Sequence, residues 1–260
     1  MRHHFIDRFS EGDTFIHRLD ARTKLLGVLA FIAAVALTPA GAWFSLGLFT
    51  LLLAGLLVSS KVPLAFLLRR SLMVLPFVTM IIAFIPFIQG GEVIFEARLA
   101  VGRIAITQEG INLAGTLLLK AWLSTLAMAG LMAVTRAVDL LSGLQRLKFP
   151  PLLIMMASFM YRYLFVLTDE ALRLKQARDC RHFGGNLALN VRSTGHMAGS
   201  LFIRSYERGE RIYAAMVSRG FNGRIPALSS TSPRSVEVIY ALLWLMAVTA
   251  VSIQSHQVWF

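Results

Sequence analysis

An all-α fold that passes several times through a membrane is the class this sequence predicts, and three observations carry that prediction. Apolar residues make up 56% of the 260 residues and charged residues only 15%, against about 25% charged in a soluble domain. Mean hydropathy is +0.65, and several apolar runs approach the roughly 20 residues that a bilayer-spanning helix needs. The charge is lopsided, with 26 Lys+Arg against 14 Asp+Glu and a net charge of +12. Beside long apolar runs, such an excess marks loops held in the cytoplasm more readily than a nucleic-acid footprint, and no nucleic-acid partner is expected.

Taken in order, the segments support about five transmembrane helices. Polar residues precede the first apolar run, among them His3, His4, Asp7, Arg8, Glu11 and Asp13, so a cleavable signal peptide is not expected. The first predicted span, residues 25–37, is short. Pro39-Ala40-Gly41 turns it into the second, residues 42–58. The third, residues 72–88, contains Pro76 and Pro86. Prolines remove backbone hydrogen bonds and bend a helix, so this span must pack against others. The fourth covers residues 111–134 and carries Lys120, and the fifth covers residues 236–253. A charge inside a span is functional by default, but Lys120 lies near enough to one end to snorkel, and both readings stand.

Residues 150–167 are also long and apolar enough to span. Charge argues the other way, because the stretch from 168 to 234 holds eleven Lys+Arg and five Asp+Glu. If 150–167 crossed, that basic stretch would face away from Arg136, Arg146 and Lys148, against the positive-inside bias. The segment therefore reads as an interfacial or internally packed helix, with a crossing as the open alternative. Arg18, Arg22 and Lys24, then Lys61, Arg69 and Arg70, then Arg136 onward fall on the cytoplasmic side. Residues 89–110, with Glu92, Glu96 and Glu109 against Arg98 and Arg103, a net of −1, fall outside, and the fifth span leads outside again. The expected organisation is a membrane region at 1–135, a cytoplasmic helical region at 136–235, and a closing membrane helix at 236–260.

The cytoplasmic region holds most of the information. Residues 137–147 form a short amphipathic helix stopped by Pro150 and Pro151. A long helix runs from 152 to about Arg181, its last turns crowded with Arg173, Lys175, Arg178 and Arg181, where cations meet the exposed carbonyls. Gly184-Gly185-Asn186 would end it. A second helix spans about 200–219, with Phe202, Tyr206, Tyr213, Met216 and Val217 as an apolar stripe. Arg204, Glu207, Arg208, Glu210 and Arg211 cover its polar side, and Gly220 then Asn222-Gly223 stop it. Each helix thus ends in a short arginine motif, Cys180-Arg181-His182 and Ser218-Arg219-Gly220. Either alone is an ordinary capped helix end. Two of them in one basic loop suggest helix ends offered to a partner's groove, where arginine's planar five-donor fork binds carboxylates and carbonyls.

At these residues the chain resembles the transmembrane T component of energy-coupling factor transporters, most closely the cobalt-type form, CbiQ. The likeness runs over nearly the whole chain and is clearest from Tyr206 through Glu207-Arg208-Gly209-Glu210-Arg211 to Gly220-Phe221. Ala177-Arg178-Asp179-Cys180-Arg181 and Asp20-Ala21-Arg22-Thr23-Lys24-Leu25 add to it. The resemblance implies two coupling helices whose X-Arg-X motifs contact ATP-binding cassette ATPase subunits, with Arg181 and Arg219 in that role. It also implies a separate membrane subunit that binds substrate, and a place in the bacterial plasma membrane. Nickel and vitamin importers use the same kind of subunit. The chain departs from the family pattern at His182, where glycine is frequent, at Ser218, where alanine is frequent, and at Ala21, which replaces a proline. Neither arginine is lost.

Other chemistries are poorly served. There is no GxxxxGK[ST] phosphate loop for nucleotide. The one cysteine, Cys180, excludes an intrachain disulfide and a CxxC metal site. The histidines, His3, His4, His17, His182, His196 and His256, fall outside every predicted span, and read as surface residues rather than a transport site; no metal or cofactor is expected. The eleven methionines, Met155-Met156 among them, read as packing filler. An enzyme would need a nucleophile–base pair or paired carboxylates in the membrane. A self-sufficient secondary transporter would need polar groups at mid-bilayer on several helices, and Lys120 is the available one.

Overall fold

The computed structural model describes residues 14–60, 62–88, 93–99, 102–181, 186–223 and 235–257. Eleven helices and one two-stranded hairpin are described: α1 Phe15–Arg18, α2 Ala21–Leu37, α3 Trp43–Ser59, α4 Leu64–Leu72, α5 Leu75–Ile82, α6 Ile85–Ile88, β1 Val93–Leu99, β2 Gly102–Thr107, α7 Gln108–Val134, α8 Ala137–Arg146, α9 Pro151–Arg181, α10 Leu187–Val217 and α11 Ser235–Gln257. The class is helical, as expected. The addition is β1 and β2, an antiparallel pair with Leu99 opposite Gly102 and an irregularity between Val93 and Phe95. It lies where the sequence reading placed only an outer loop. Packing divides the chain into two compact units: α1–α7, α8 as far as Gly143, and α11 form one, and Leu144 through α9 and α10 form the other.

The first unit is organised around α7, which packs against α2, α3, α4, α5 and α6, while α11 packs on α2 and α3. Its core is aromatic and aliphatic. Phe31 meets Phe49 edge-on at 5.6 Å and stacks on Trp244 at 6.2 Å. Leu46, Leu57, Leu123 and Val248 are fully buried around them. Trp244 Nε1 donates to the Gly27 carbonyl at 3.2 Å, and Trp122 Nε1 to Ser71 Oγ at 3.1 Å, so each half-buried indole still satisfies its donor. Phe44, Leu51, Met73, Phe77, Met80 and Ile81 are exposed. On a soluble protein that much exposed apolar surface would mark a contact patch; on a membrane protein it suits lipid or a partner subunit within the membrane. Among the described residues, α7 and α9 are each long and apolar enough to cross a membrane. Helices α4 and α5 qualify only as a pair, and α3 and the stretch Leu242–Gln254 are shorter apolar helices.

Two expectations change, and Lys120 gains its partners. The third span is not one bent helix at 72–88: it is broken into α4, α5 and α6, with a 41° bend between the first two. Pro76 and Pro86 each stand one residue past a helix start, where the missing N–H costs nothing, so the prolines restart helices rather than kink one. The helix of the first predicted span, α2, begins at Ala21, before residue 25, where Asp20 caps it. Lys120 reaches the end of another helix. Its Nζ donates to the carbonyls of Ala36, at 3.3 Å, and of Thr38, at the C-terminal end of α2, satisfying groups that a helix end leaves open.

Candidate functional site

Helix α9 runs 31 residues without a break, from Pro151 at its first position to Arg181 at its last. Its boundaries are those the sequence predicts to within a residue. Helix α10 also has 31 residues, starting at Leu187 rather than near 200. Arg192, which falls between the two helices predicted at 152–181 and 200–219, therefore lies inside α10. Ser193-Thr194-Gly195 and Gly199 read as breakers, each helical glycine costing about 1 kcal/mol relative to alanine. The helix persists where Arg178 Nη1 on α9 donates to Thr194 Oγ1 at 2.9 Å, and that hydroxyl in turn donates to the Asn190 carbonyl at 2.7 Å.

The two helices pair antiparallel. Besides the Arg178–Thr194 bond, Arg204 meets Glu170 at 2.6 Å. Further along, Phe159, Tyr163 and Leu167 face Ser205, Arg208, Gly209, Ile212 and Met216 across a groove of about 250 Å³. Positions 205, 208, 209, 212 and 216 recur at the three- and four-residue spacing of one helical face. The expected apolar stripe is displaced from this seam. Phe202, Tyr206, Tyr213 and Val217 are exposed, Met216 alone of that set lines the groove, and Arg208 joins it there instead of standing on the polar side. The seam was hard to read because its members are mixed: a serine, an arginine, a glycine and two aliphatics.

The arginine motifs sit at helix ends. Arg181 closes α9, and both it and Cys180 are exposed. His182, Gly184 and Gly185 lie outside the described residues. At the other motif, Ser218 Oγ donates to the Ala215 carbonyl at 3.0 Å. The Gly220 N–H then reaches the Val217 carbonyl at 2.9 Å, and the Phe221 N–H reaches Met216 at 3.1 Å. These two bonds form a Schellman cap, which requires a left-handed residue; Gly220 supplies it at φ 80. Arg219 is held just before that cap, exposed. The guanidinium groups of Arg181 and Arg219 have no hydrogen-bond or ion-pair partner among the described residues, whereas Arg178 is engaged by Asp179 at 2.8 Å. With antiparallel pairing and a rise of 1.5 Å per residue, the two motifs stand at opposite ends of the hairpin, about 40 Å apart.

The N-terminal motif does local work in the first unit. Asp20 Oδ1 accepts from the Arg22 N–H at 3.2 Å, Thr23 Oγ1 donates to the Asp20 carbonyl at 2.6 Å, and Lys24 Nζ donates to the His17 carbonyl at 2.9 Å. This capped start of α2 receives α8. A Cβ added at Gly143 would lie 3.2 Å from Ala21 Cβ and 3.3 Å from the Arg22 nitrogen, so the two helices touch where only glycine fits freely. Sequence reasoning named both pieces and did not join them.

Among the described residues no three His, Cys, Asp or Glu side chains gather as a metal site. The described methionines lie outside the buried core, at apolar surfaces to which their flexible side chains adapt. Met73, Met80, Met156, Met160 and Met246 are among the exposed ones.

Compared with known proteins, residues 12–231 match the family model CbiQ, described as cobalt transport protein. The energy-coupling factor transporter transmembrane protein EcfT of Streptococcus thermophilus is 31% identical over 235 residues, covering 84% of this chain and 85% of that one. The cobalt transport protein CbiQ of Rhodobacter capsulatus is 27% identical over 242 residues, covering 93% and 94%. The uncharacterized protein MJ1089 of Methanocaldococcus jannaschii is 35% identical over 137 residues, and there the match spans about half of each chain, 52% of this one and 51% of that one.

Proposed function

The chain belongs to the CbiQ family of cobalt transport proteins, and from that premise we propose that it is the transmembrane coupling subunit of an energy-coupling factor importer in a bacterial plasma membrane. It is a membrane component of a transporter and not an enzyme. Its task in this reading is to pass the motion of two ATP-binding cassette ATPase subunits to a separate membrane subunit that binds the substrate, with cobalt as the cargo.

The observation that carries the reading is the α9–α10 hairpin. It presents two exposed arginines without partners among the described residues, one at the end of each long helix. A rigid rod with a docking group at each end can report the distance between two ATPase subunits. When ATP draws those subunits together, a force applied at Arg181 and Arg219 bears on both ends of the same pair of helices. The Arg204–Glu170 and Arg178–Thr194 links hold the pair in register, so that force is transmitted rather than lost in sliding. The match to EcfT of Streptococcus thermophilus, whose name places it in such a transporter, supports the same assignment.

The test is replacement of each arginine in the assembled transporter. A charged hydrogen bond in a partner's groove contributes about 1.5–3 kcal/mol, so Arg181→Ala and Arg219→Ala should each weaken co-purification with the ATPase subunits about tenfold or more, and the double variant should abolish cobalt uptake. Lysine at either position restores charge without the planar fork and should rescue only in part. Arg192 lies beside the Arg181 end of the hairpin, so Arg173, exposed and within α9, is the cleaner control. Wild-type assembly and uptake in the double variant would exclude docking through these helix ends. Uptake of nickel in preference to cobalt would move the cargo assignment alone.

A further inference from the structure

The first unit contains a narrow cleft of about 60 Å³ at the end of the bundle where α2 and α11 begin and α3 and α7 finish. Its walls include Val28, Phe31, Leu53, Ala127 and Trp244, and its lining also takes in Thr23, Lys24 and Thr135. The volume is far below the roughly 300–1,000 Å³ of a pocket for a drug-sized ligand. A slim alkyl chain suits it; a ring system or a folded cofactor does not.

A second observation bears on the same place. Thr135 is 3% exposed, and its hydroxyl oxygen is buried without a hydrogen-bond partner. A hydroxyl left this way costs about 1–3 kcal/mol, so a valine would be the better residue if the cleft stayed empty. Water at the polar end would satisfy the hydroxyl, but the body of the slot, walled by valine, leucine, alanine and aromatic rings, offers water too few partners, and such apolar space stays dry. The chemistry missing is an amphiphile, apolar along its length with acceptor oxygens at the end near Thr135. Lys24, tied to the His17 carbonyl at 2.9 Å, brings a positive charge to the same lining, and Arg22 stands two residues before it. Opposite charge on the ligand's polar end is therefore favoured.

We propose that this cleft binds an anionic phospholipid, one acyl chain entering between α2, α3, α7 and α11 and the phosphate-bearing headgroup meeting Lys24 and the Thr135 hydroxyl. The site ties the bundle to the leaflet in which its basic end lies. It involves no residue of the α9–α10 hairpin and no ATPase contact, so it stands or falls apart from the coupling role.

The experiment uses the full chain in a neutral detergent, delipidated, with no ATPase subunit present. Dioctanoyl phosphatidylglycerol and dioctanoyl phosphatidylcholine are titrated separately, with retained lipid counted by native mass spectrometry and thermal unfolding followed in parallel. Phosphatidylglycerol should be retained as one tight equivalent and raise the melting temperature, with phosphatidylcholine about tenfold weaker. Thr135→Val removes only a hydroxyl that the protein itself leaves unpaired. It should weaken phosphatidylglycerol about fivefold while leaving the lipid-free melting temperature equal or higher. Lys24→Met should weaken it about tenfold, and Lys24→Arg should restore most of the loss, which separates charge from the structural bond to His17. Equal retention of both lipids, lipid binding indifferent to Thr135→Val, or the full thermal shift from inorganic phosphate alone would each overturn the proposal.

Discussion

Lys120 shows how much a single residue discloses and withholds. Its charge, well inside an apolar run, was legible as an anomaly. Its partners were not, because the carbonyls of Ala36 and Thr38 lie more than eighty positions away along the chain and no local pattern links a lysine in one helix to the open end of another. The bond also explains why a charge is tolerated there: the last carbonyls of α2 have no intrahelical donor, and an ammonium answers both the hydrogen-bond deficit and the negative end of the helix dipole. Lys120→Met keeps the stem and removes the donors, and should lower stability by about 2 kcal/mol, with Lys120→Arg much milder. Thermal unfolding of the two variants in detergent decides it. A methionine variant that melts with the parent would mean that those carbonyls have other donors. Gly220 is the opposite case, legible in full: a glycine after a periodic helix predicts a left-handed cap, and the cap is present at φ 80.

At the scale of elements, the outcome divides by the kind of signal. Helix α9 was read nearly residue for residue, since a proline opens it and glycines follow its basic end. Helix α10 was started about a dozen residues late, because its first half is polar and punctuated by Gly195 and Gly199, and what sustains it there is cross-helix bonding that periodicity does not register. The β1–β2 hairpin was missed although Arg103-Ile104-Ala105-Ile106 alternates, because the segment was weighed for its charge and not for its period. The α9–α10 seam yields a prediction of its own. Glu170 and Arg204 meet at 2.6 Å, but Arg204 is 56% exposed, so the pair contributes only about 0.5 kcal/mol. Its importance is register. Arg204→Glu sets two carboxylates face to face and should destabilise the hairpin by about 1 kcal/mol, and exchanging the pair, Glu170→Arg with Arg204→Glu, should recover most of that. A double-mutant cycle in thermal unfolding measures the coupling; additive effects would show that the two side chains do not sense each other.

At the scale of the whole molecule, hydropathy identified the class and charge suggested the sidedness, but the two disagree at one place, the apolar half of α9. By length and hydropathy this helix is able to cross a bilayer, and only 6% of its most apolar window is buried within the chain. Both a lipid surface and a partner subunit would cover such a face, so burial does not choose between them. Charge does: from 168 to 234 there are eleven Lys+Arg against five Asp+Glu, and a crossing by α9 would set this stretch on the side opposite Arg136, Arg146 and Lys148, against the bias that holds basic segments in the cytoplasm. The expectation is that α10 is cytoplasmic, where ATPase subunits could reach both of its arginine-bearing neighbours. Gly195 is the position to probe, since a side chain added there meets nothing within 4 Å. With Cys180 replaced by serine, Gly195→Cys should resist an impermeant maleimide added to intact cells and label once the membrane is opened, while Gly102→Cys in the hairpin should label from outside. Labelling of Gly195→Cys in intact cells would place α10 outside, turn the apolar half of α9 into a span, and remove Arg181 and Arg219 from the reach of any cytoplasmic ATPase.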